Sequence, residues 1–290
     1  MTLRFKQNKL PGKRSIYLLK HKSVAIGSTL IVMLAFLAIF APYLTPYDPI
    51  EVDLYNNIQS PSWEHPFGTD NLGRDVLTRV IYATRIDILA SIFIVGISMI
   101  IGISIGIVSG YYGGVIDKVL VGMMDTFLAL PEIILALVLV GALGPGLFNV
   151  TLALSLLGWV KYARVSRGLA LSIKEKEFIE AMKAVGVNDF YLLTRHIAPN
   201  TISPLLTLAA LHLGHAILSL AALGFLGLGA QPPMPEWGAM LNEGRIFLRG
   251  GWWLSIFPGL MIMITVLAFN FIGDGLRDAL DPRMKEVVIK

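Results

Sequence analysis

The sequence contains no cysteine. That absence removes disulfides, thiolate metal sites and thiol catalysis together. Charge is also scarce. Asp, Glu, Lys and Arg make up 15% of the 290 residues, against 55% hydrophobic and a mean hydropathy of +0.68. A soluble domain carries about 25% charged residues, so the apolar excess points to a bilayer as the solvent. No stretch fits GxxxxGK[ST], and Gly12-Lys13-Arg14 is only part of a basic tail. The chain therefore cannot hydrolyse ATP by the usual P-loop route. HExxH is missing too, as are Ser/His or paired-Asp signatures in facing spans, so no enzyme, cofactor or catalytic metal centre is expected.

What is present is a set of long apolar runs. A bilayer core about 30 Å thick needs roughly 20 apolar residues at 1.5 Å rise. Candidate spans cover Val24–Tyr43, Ile86–Tyr111, Val119–Ala142, Gly146–Tyr162, Ile202–Gly229 and Trp252–Gly275. The fold expected is an all-α membrane protein with six transmembrane helices. The first run lacks a small-x-small cleavage site and is long for a signal peptide, which makes it a retained anchor.

Lys and Arg set the orientation. Of the 24, 18 fall on the alternate segments that include both termini and Glu180–Asn200, five on the opposite side, and Lys161 lies within the fourth run. Both termini and Glu180–Asn200 are thereby placed in the cytoplasm, where ATP is. The organisation that follows is a basic cytoplasmic tail over 1–22, an anchor over 23–43 and an external segment over 44–85. A five-helix core over 86–280 contains a cytoplasmic loop at 175–200, and a short tail covers 281–290. The basic tail reads as an orientation signal touching anionic lipid, with no nucleic acid expected.

Several residues stand out against this background. In the external segment, Asp70, Arg74 and Asp75 have no accompanying nucleophile and read as helix-start and salt-bridge residues. From Asp75 onward, Val76, Leu77, Val80 and Ile81 suggest an amphipathic helix leading into the second span. Ser98, Gly102, Gly106 and Gly110 recur every four residues and line one helix face for close packing. Gly224, Gly227 and Gly229, followed by Gln231-Pro232-Pro233, imply a helix that ends abruptly in an ordered external turn.

Asp125 and Glu132 lie seven apart in the third span, hence on one helix face. Acidic groups there either line a path for a cationic substrate or pair with Lys161, Arg164 or a backbone group. His212 and His215 sit three apart in the fifth span; they hydrogen-bond structurally or border a translocation path, and two imidazoles are too few for a stable metal site. Asp125, His212 and His215 are the candidate path residues.

The stretch EAMKAVGVNDFYLLTRHIAPN, Glu180 to Asn200, is charged and punctuated by Gly and Pro between apolar runs. Glu175–Val185 reads as a short amphipathic helix broken at Gly186. Val187-Asn188-Asp189 supplies a turn and cap for a second short helix, Asp189–His196, which Pro199 and Asn200 end. Two rigid pieces meeting at a Gly make a knob that a partner could move as a body.

This stretch resembles the EAA loop of ABC importer permeases: Glu180, Ala181, Gly186 six residues after the Glu, and Pro199 thirteen after the Gly. Met182 stands where the family prefers a second Ala, and Ala198 where it prefers Leu. HPFGTDNLGRD (His65–Asp75), AALGFLGLGAQPPMPEWG (Ala221–Gly238) and GDGLRDALDPR (Gly273–Arg283) look like the dipeptide/oligopeptide/nickel branch, most of all its C-type second permease subunit.

The resemblance implies a type I ABC importer permease fold, half of a translocation pore, with Glu180, Ala181, Gly186 and Pro199 as ATPase-coupling residues. It implies three kinds of partner besides membrane lipid: a homologous second permease, two cytoplasmic ATP-binding subunits and an extracytoplasmic substrate-binding protein. Location in a bacterial or archaeal plasma membrane follows. On cargo, His215 after Leu213-Gly214 resembles nickel-type members, which tilts the reading toward nickel or a nickel chelate, with peptide nearly level. An ion-coupled secondary transporter is the reading from another class; it would show inverted repeats and ionisable residues in both halves.

Overall fold

The computed structural model describes residues 22–280; the tails over 1–21 and 281–290, with Asp281 and the end of the Gly273–Arg283 motif, lie outside the described residues. Among the described residues the structure is built from helices joined by turns and loops, with no strand. Its helices are α1 (Lys22–Leu44), α2 (Val76–Tyr112), α3 (Gly114–Leu128), α4 (Glu132–Leu143), α5 (Leu147–Lys174), α6 (Glu177–Ala184), α7 (Ala198–Phe225), α8 (Trp237–Gly244) and α9 (Trp253–Leu280). Four helical stretches are long and apolar enough to cross a membrane: 23–44, 76–112, 189–225 and 253–278. The pair α3 and α4 would make a fifth crossing if it counts as one span.

The expected spans are corrected in four places. The amphipathic lead at Val76 and the second span form one continuous 37-residue helix, about 55 Å long. The third span is two helices bent by 88°. Pro131 stands at the N-cap of α4, and a proline there cannot continue the helix before it. Asp125 and Glu132 consequently sit on different helices.

The fourth span does not stop at Tyr162; α5 runs 28 residues to Lys174, because the basic residues that appeared to end it are paired within the protein. Finally, Pro199 and Asn200 do not end a helix. A π-helical turn, Leu192–Ile197, runs directly into α7. Pro199 lies in the first turn of α7, where a missing N–H is tolerated.

The small-residue stripe of α2 packs against α5. A Cβ on Gly106 would meet Ser166 Oγ and the Ala163 carbonyl, and one on Gly110 would lie 2.7 Å from the Arg167 carbonyl. Ser98 Oγ donates to Ser155 O at 2.9 Å and Ser166 Oγ to Gly102 O at 3.1 Å, stitching the same seam. One apolar core joins α2, α4, α5 and α7 through Ile94, Val140, Leu154, Leu205 and Leu220. A second joins α2, α7, α8 and α9 around Trp237.

The segment before α2 is held by buried charge. Asp75 caps α2 by accepting from Thr78 N at 2.7 Å and also meets His65 Nδ1 at 2.9 Å. Arg74 and Arg79, 2% and 1% exposed, share Asp70 and Glu243. The expected salt-bridge role of Asp70, Arg74 and Asp75 is met, and Arg79 and Glu243 extend it to α8.

After α7 the chain turns as its glycines imply. Gly227 has φ +82°, with Leu228 N donating to Leu223 O and Gly227 N to Gly224 O, the paired bonds of a Schellman end. Glu236 then caps α8 by accepting from Gly238 N at 2.7 Å and Ala239 N at 2.8 Å. Burial pushes the Glu236 carboxyl above its ordinary value, against the pull of those two donors.

Candidate functional site: a surface knob and an interhelical charge ladder

The loop at 175–200 is built from local signals. Helix α6 ends in a second Schellman arrangement: Val187 N donates to Met182 O at 3.1 Å and Gly186 N to Lys183 O at 3.0 Å. Gly186 supplies the left-handed turn at φ +81°, with open space where a Cβ would stand. Asn188 Oδ1 then accepts from Phe190 N at 2.8 Å and starts the next helical turn.

The inner face of this knob is packed. Ile179, Leu192 and Ile197 are fully buried against Ile107 and Tyr111 of α2 and Ala170 and Ile173 of α5. Tyr111 is a fastening point. Its hydroxyl donates to Asp189, its carbonyl accepts from Lys174 Nζ at 2.6 Å, and the Lys183 ammonium lies 4.6 Å from its ring centroid. The outer face carries Glu180, Ala181, Gly186 and Pro199, all exposed. Two large apolar side chains flank Gly186 there, Val185 at 79% and Phe190 at 72% exposure.

Within the helical bundle, basic residues at 161, 164 and 167 of α5 stand three apart, on one face. Each meets an acid from α3 or α4. Lys161 Nζ lies 2.6 Å from Glu132, Arg164 pairs with Asp125, and Arg167 makes two 2.6 Å bonds to Asp117. Ser109 Oγ also donates to Asp117. An isolated charge at bilayer centre costs about 2.5–3.5 kcal/mol on the insertion scale, and pairing removes most of the reason for that cost. Of the two readings of Asp125 and Glu132, partnership with Arg164 and Lys161 is the one the geometry displays. The Arg167–Asp117 rung was not anticipated; the 161/164/167 spacing in α5 carried the signal.

The two histidines differ. His212 is buried, 5% exposed, and its Nδ1 is 2.9 Å from the Tyr162 hydroxyl. His215 stacks on His212 with ring centroids 5.9 Å apart, is half exposed, and places Nε2 3.6 Å from Glu132. His215 thus joins Glu132 and Lys161, whereas His212 is held by Tyr162. Asp125 lies one rung along the ladder. No group of three His, Asp or Glu side chains suited to a metal ion occurs among the described residues.

Comparison with known proteins adds an independent line. Residues 102–286 match the family model described as "binding-protein-dependent transport system inner membrane component". Residues 15–61 match the N-terminal TM domain of oligopeptide transport permease C. The chain is 45% identical over 266 residues to the dipeptide transport system permease protein DppC of Alkalihalophilus pseudofirmus, covering 92% of this chain and 88% of the relative.

To the DppC of Haemophilus influenzae it is 41% identical, covering 93% and 94%. To the glutathione transport system permease protein GsiD of Pectobacterium atrosepticum it is 43% identical, covering 93% and 89%. In fold it is similar to an inward-facing structure of the MetNI methionine ABC transporter. The TM-score is 0.56 at 18% identity, over 70% of this chain and 97% of that one.

Proposed function

Because this chain belongs to the binding-protein-dependent transport system inner membrane component family, we propose that it is a permease subunit of an ATP-driven ABC importer whose cargo is peptide. The relatives above are named for dipeptide and glutathione. Peptide therefore displaces nickel as the cargo, and His215 loses the weight given to it as a nickel marker. The chain moves solute and makes no covalent change. Its working assembly comprises a homologous second permease, two cytoplasmic ATPases and an external binding protein. Six crossings are assigned by adding the α3–α4 pair and the long, charge-bearing α5 to the four apolar stretches, with both termini cytoplasmic by the Lys and Arg bias.

The observation that carries the coupling role is the exposed Val185 and Phe190 on a knob whose other face is fastened to α2 and α5. An apolar pair at the tip of a cytoplasmic knob fits a groove on an ATPase. When the ATPases close on ATP, a push at Gly186 passes through Ile179, Leu192 and the Tyr111 fastening into the α2–α5 pair. The seam between those helices makes them one lever. An ion-coupled secondary transporter has no use for such a part.

Uptake of radiolabelled alanyl-alanine, in cells lacking the gene and in cells with it restored, tests the assignment. Gene-dependent uptake that excess nickel does not reduce is expected; nickel uptake that depends on the gene and ignores dipeptide would sink it. Phe190→Glu should lower dipeptide uptake at least tenfold and prevent co-purification of the ATPase while leaving the membrane level of the chain unchanged. Retained uptake in that variant would remove the knob from the coupling path.

A further inference from the structure

We propose that Glu132, Lys161 and His215 form a way-station for a zwitterionic peptide, with Lys161 and His215 receiving its carboxylate and Glu132 its ammonium. The inference rests on the peptide-permease reading above. Three helices bring these groups together: α4 gives Glu132 at its first turn, α5 gives Lys161 and α7 gives His215. One carboxylate oxygen, Glu132 Oε2, serves both neighbours, at 2.6 Å from Lys161 Nζ and 3.6 Å from His215 Nε2. The side chains remain partly open, with exposures of 24%, 36% and 49% for Glu132, Lys161 and His215.

The three rungs of the ladder are not equivalent. Arg167 and Asp117 form a two-bond fork that Ser109 completes, and such a pair has little capacity left for a third party. Glu132 and Lys161 share a single bond. An ammonium carries three donors and a carboxylate about four acceptor sites, so most of the bonding capacity of this rung is unused. Charged groups left partly open within membrane-spanning elements face a water-filled route or another protein surface, not lipid. Against His215 stacks the buried His212, itself 2.9 Å from the Tyr162 hydroxyl.

Mixed sign is what suits the cargo. A free peptide presents an ammonium and a carboxylate, roughly 6–7 Å apart in an extended dipeptide at the usual rise per residue. Such a molecule cannot enter between groups already bonded at 2.6 Å unless Lys161 swings away on its flexible stem. Entry then exchanges the internal pair for two pairs with the peptide, and exit restores it. That exchange gives a station without a deep well, as conduction requires.

The test uses the whole importer, purified with its partner permease, ATPases and binding protein and reconstituted in vesicles, with alanyl-alanine as probe. A pair with only a structural role is replaced by neutral residues of similar size at little cost, so Glu132→Gln with Lys161→Met separates the possibilities. The proposal expects this neutral double variant to assemble at wild-type yield yet transport at least tenfold more slowly. It also expects the reversed pair, Glu132→Lys with Lys161→Glu, to recover at least half the wild-type rate. Wild-type transport by the neutral variant, or no recovery by the reversed pair, overturns it. Wild-type vesicles that fail to take up alanyl-alanine would instead overturn the peptide reading on which it stands.

Discussion

Gly186 shows how a single residue sets the geometry of a working part. Its φ of +81° lies in the left-handed region, and the space where a side chain would stand is open. The objection to another residue there is torsional and not steric, about 1–2 kcal/mol. A Leu at 186 would either bear that strain or rotate the knob, misaligning Val185 and Phe190. Asn tolerates the left-handed region far better. Gly186→Leu should therefore lose at least nine-tenths of dipeptide uptake while Gly186→Asn keeps half or more, at equal membrane levels by immunoblot. Equal uptake in the two variants would show that the turn has no part in coupling. The same scale explains the histidines. Spacing placed His212 and His215 on one face, but Tyr162, fifty residues from His212, holds the first of them.

At the level of elements, the α2–α5 seam is what would turn the proposed coupling push into motion of a lever. The four-residue repeat of small side chains on α2 announced a close neighbour, and the structure identifies that neighbour as α5. Gly106→Ala drives a methyl into Ser166 Oγ and the Ala163 carbonyl, an overpacking that costs about 1–3 kcal/mol. Gly96→Ala on the same helix meets nothing within 4 Å and is the control. Thermal unfolding of the purified chain in detergent should show a clearly lower Tm for the Gly106 variant and little change for Gly96. Coincident melting curves would contradict the seam. The break between α3 and α4 was half-visible: Pro131 marks a helix boundary, yet hydropathy ran straight through it. Its 88° bend leaves Asp125 and Glu132 on separate helices, each with its own partner on α5.

For the molecule as a whole, orientation is the property on which the proposed function depends: under it the knob faces ATP and the segment before α2 faces the binding protein. The absence of native cysteine makes this directly measurable. Trp63 in the external segment is fully exposed, and Val185 at the knob nearly so. In intact spheroplasts, Trp63→Cys should react with a membrane-impermeant maleimide at once. Val185→Cys should react only after the membrane is permeabilised. The reverse pattern would invert the topology and remove the coupling argument. The two ends of the bundle are also made differently. The outer end is tied by the Asp70, Arg74, Arg79 and Glu243 charges, and the inner end by apolar packing under the knob.

Sequence by itself determined what depends on neighbours along the chain. Apolar length gave the membrane, Lys and Arg distribution gave an orientation, and Gly186, Gly227 and Asn188 gave turns whose bonds close within a few residues. The spacing from Glu180 to Pro199, with the other motifs, gave the family. Only the tertiary structure decided which charges pair and which helices pack together, because those partners are remote. Lys161 finds Glu132 across 29 positions, Arg167 finds Asp117 across 50, and Tyr111 finds Asp189 across 78. Pairing over such distances is fixed by how helices cross and by the cost of leaving a charge unpartnered in a bilayer, and neither is written in a local pattern.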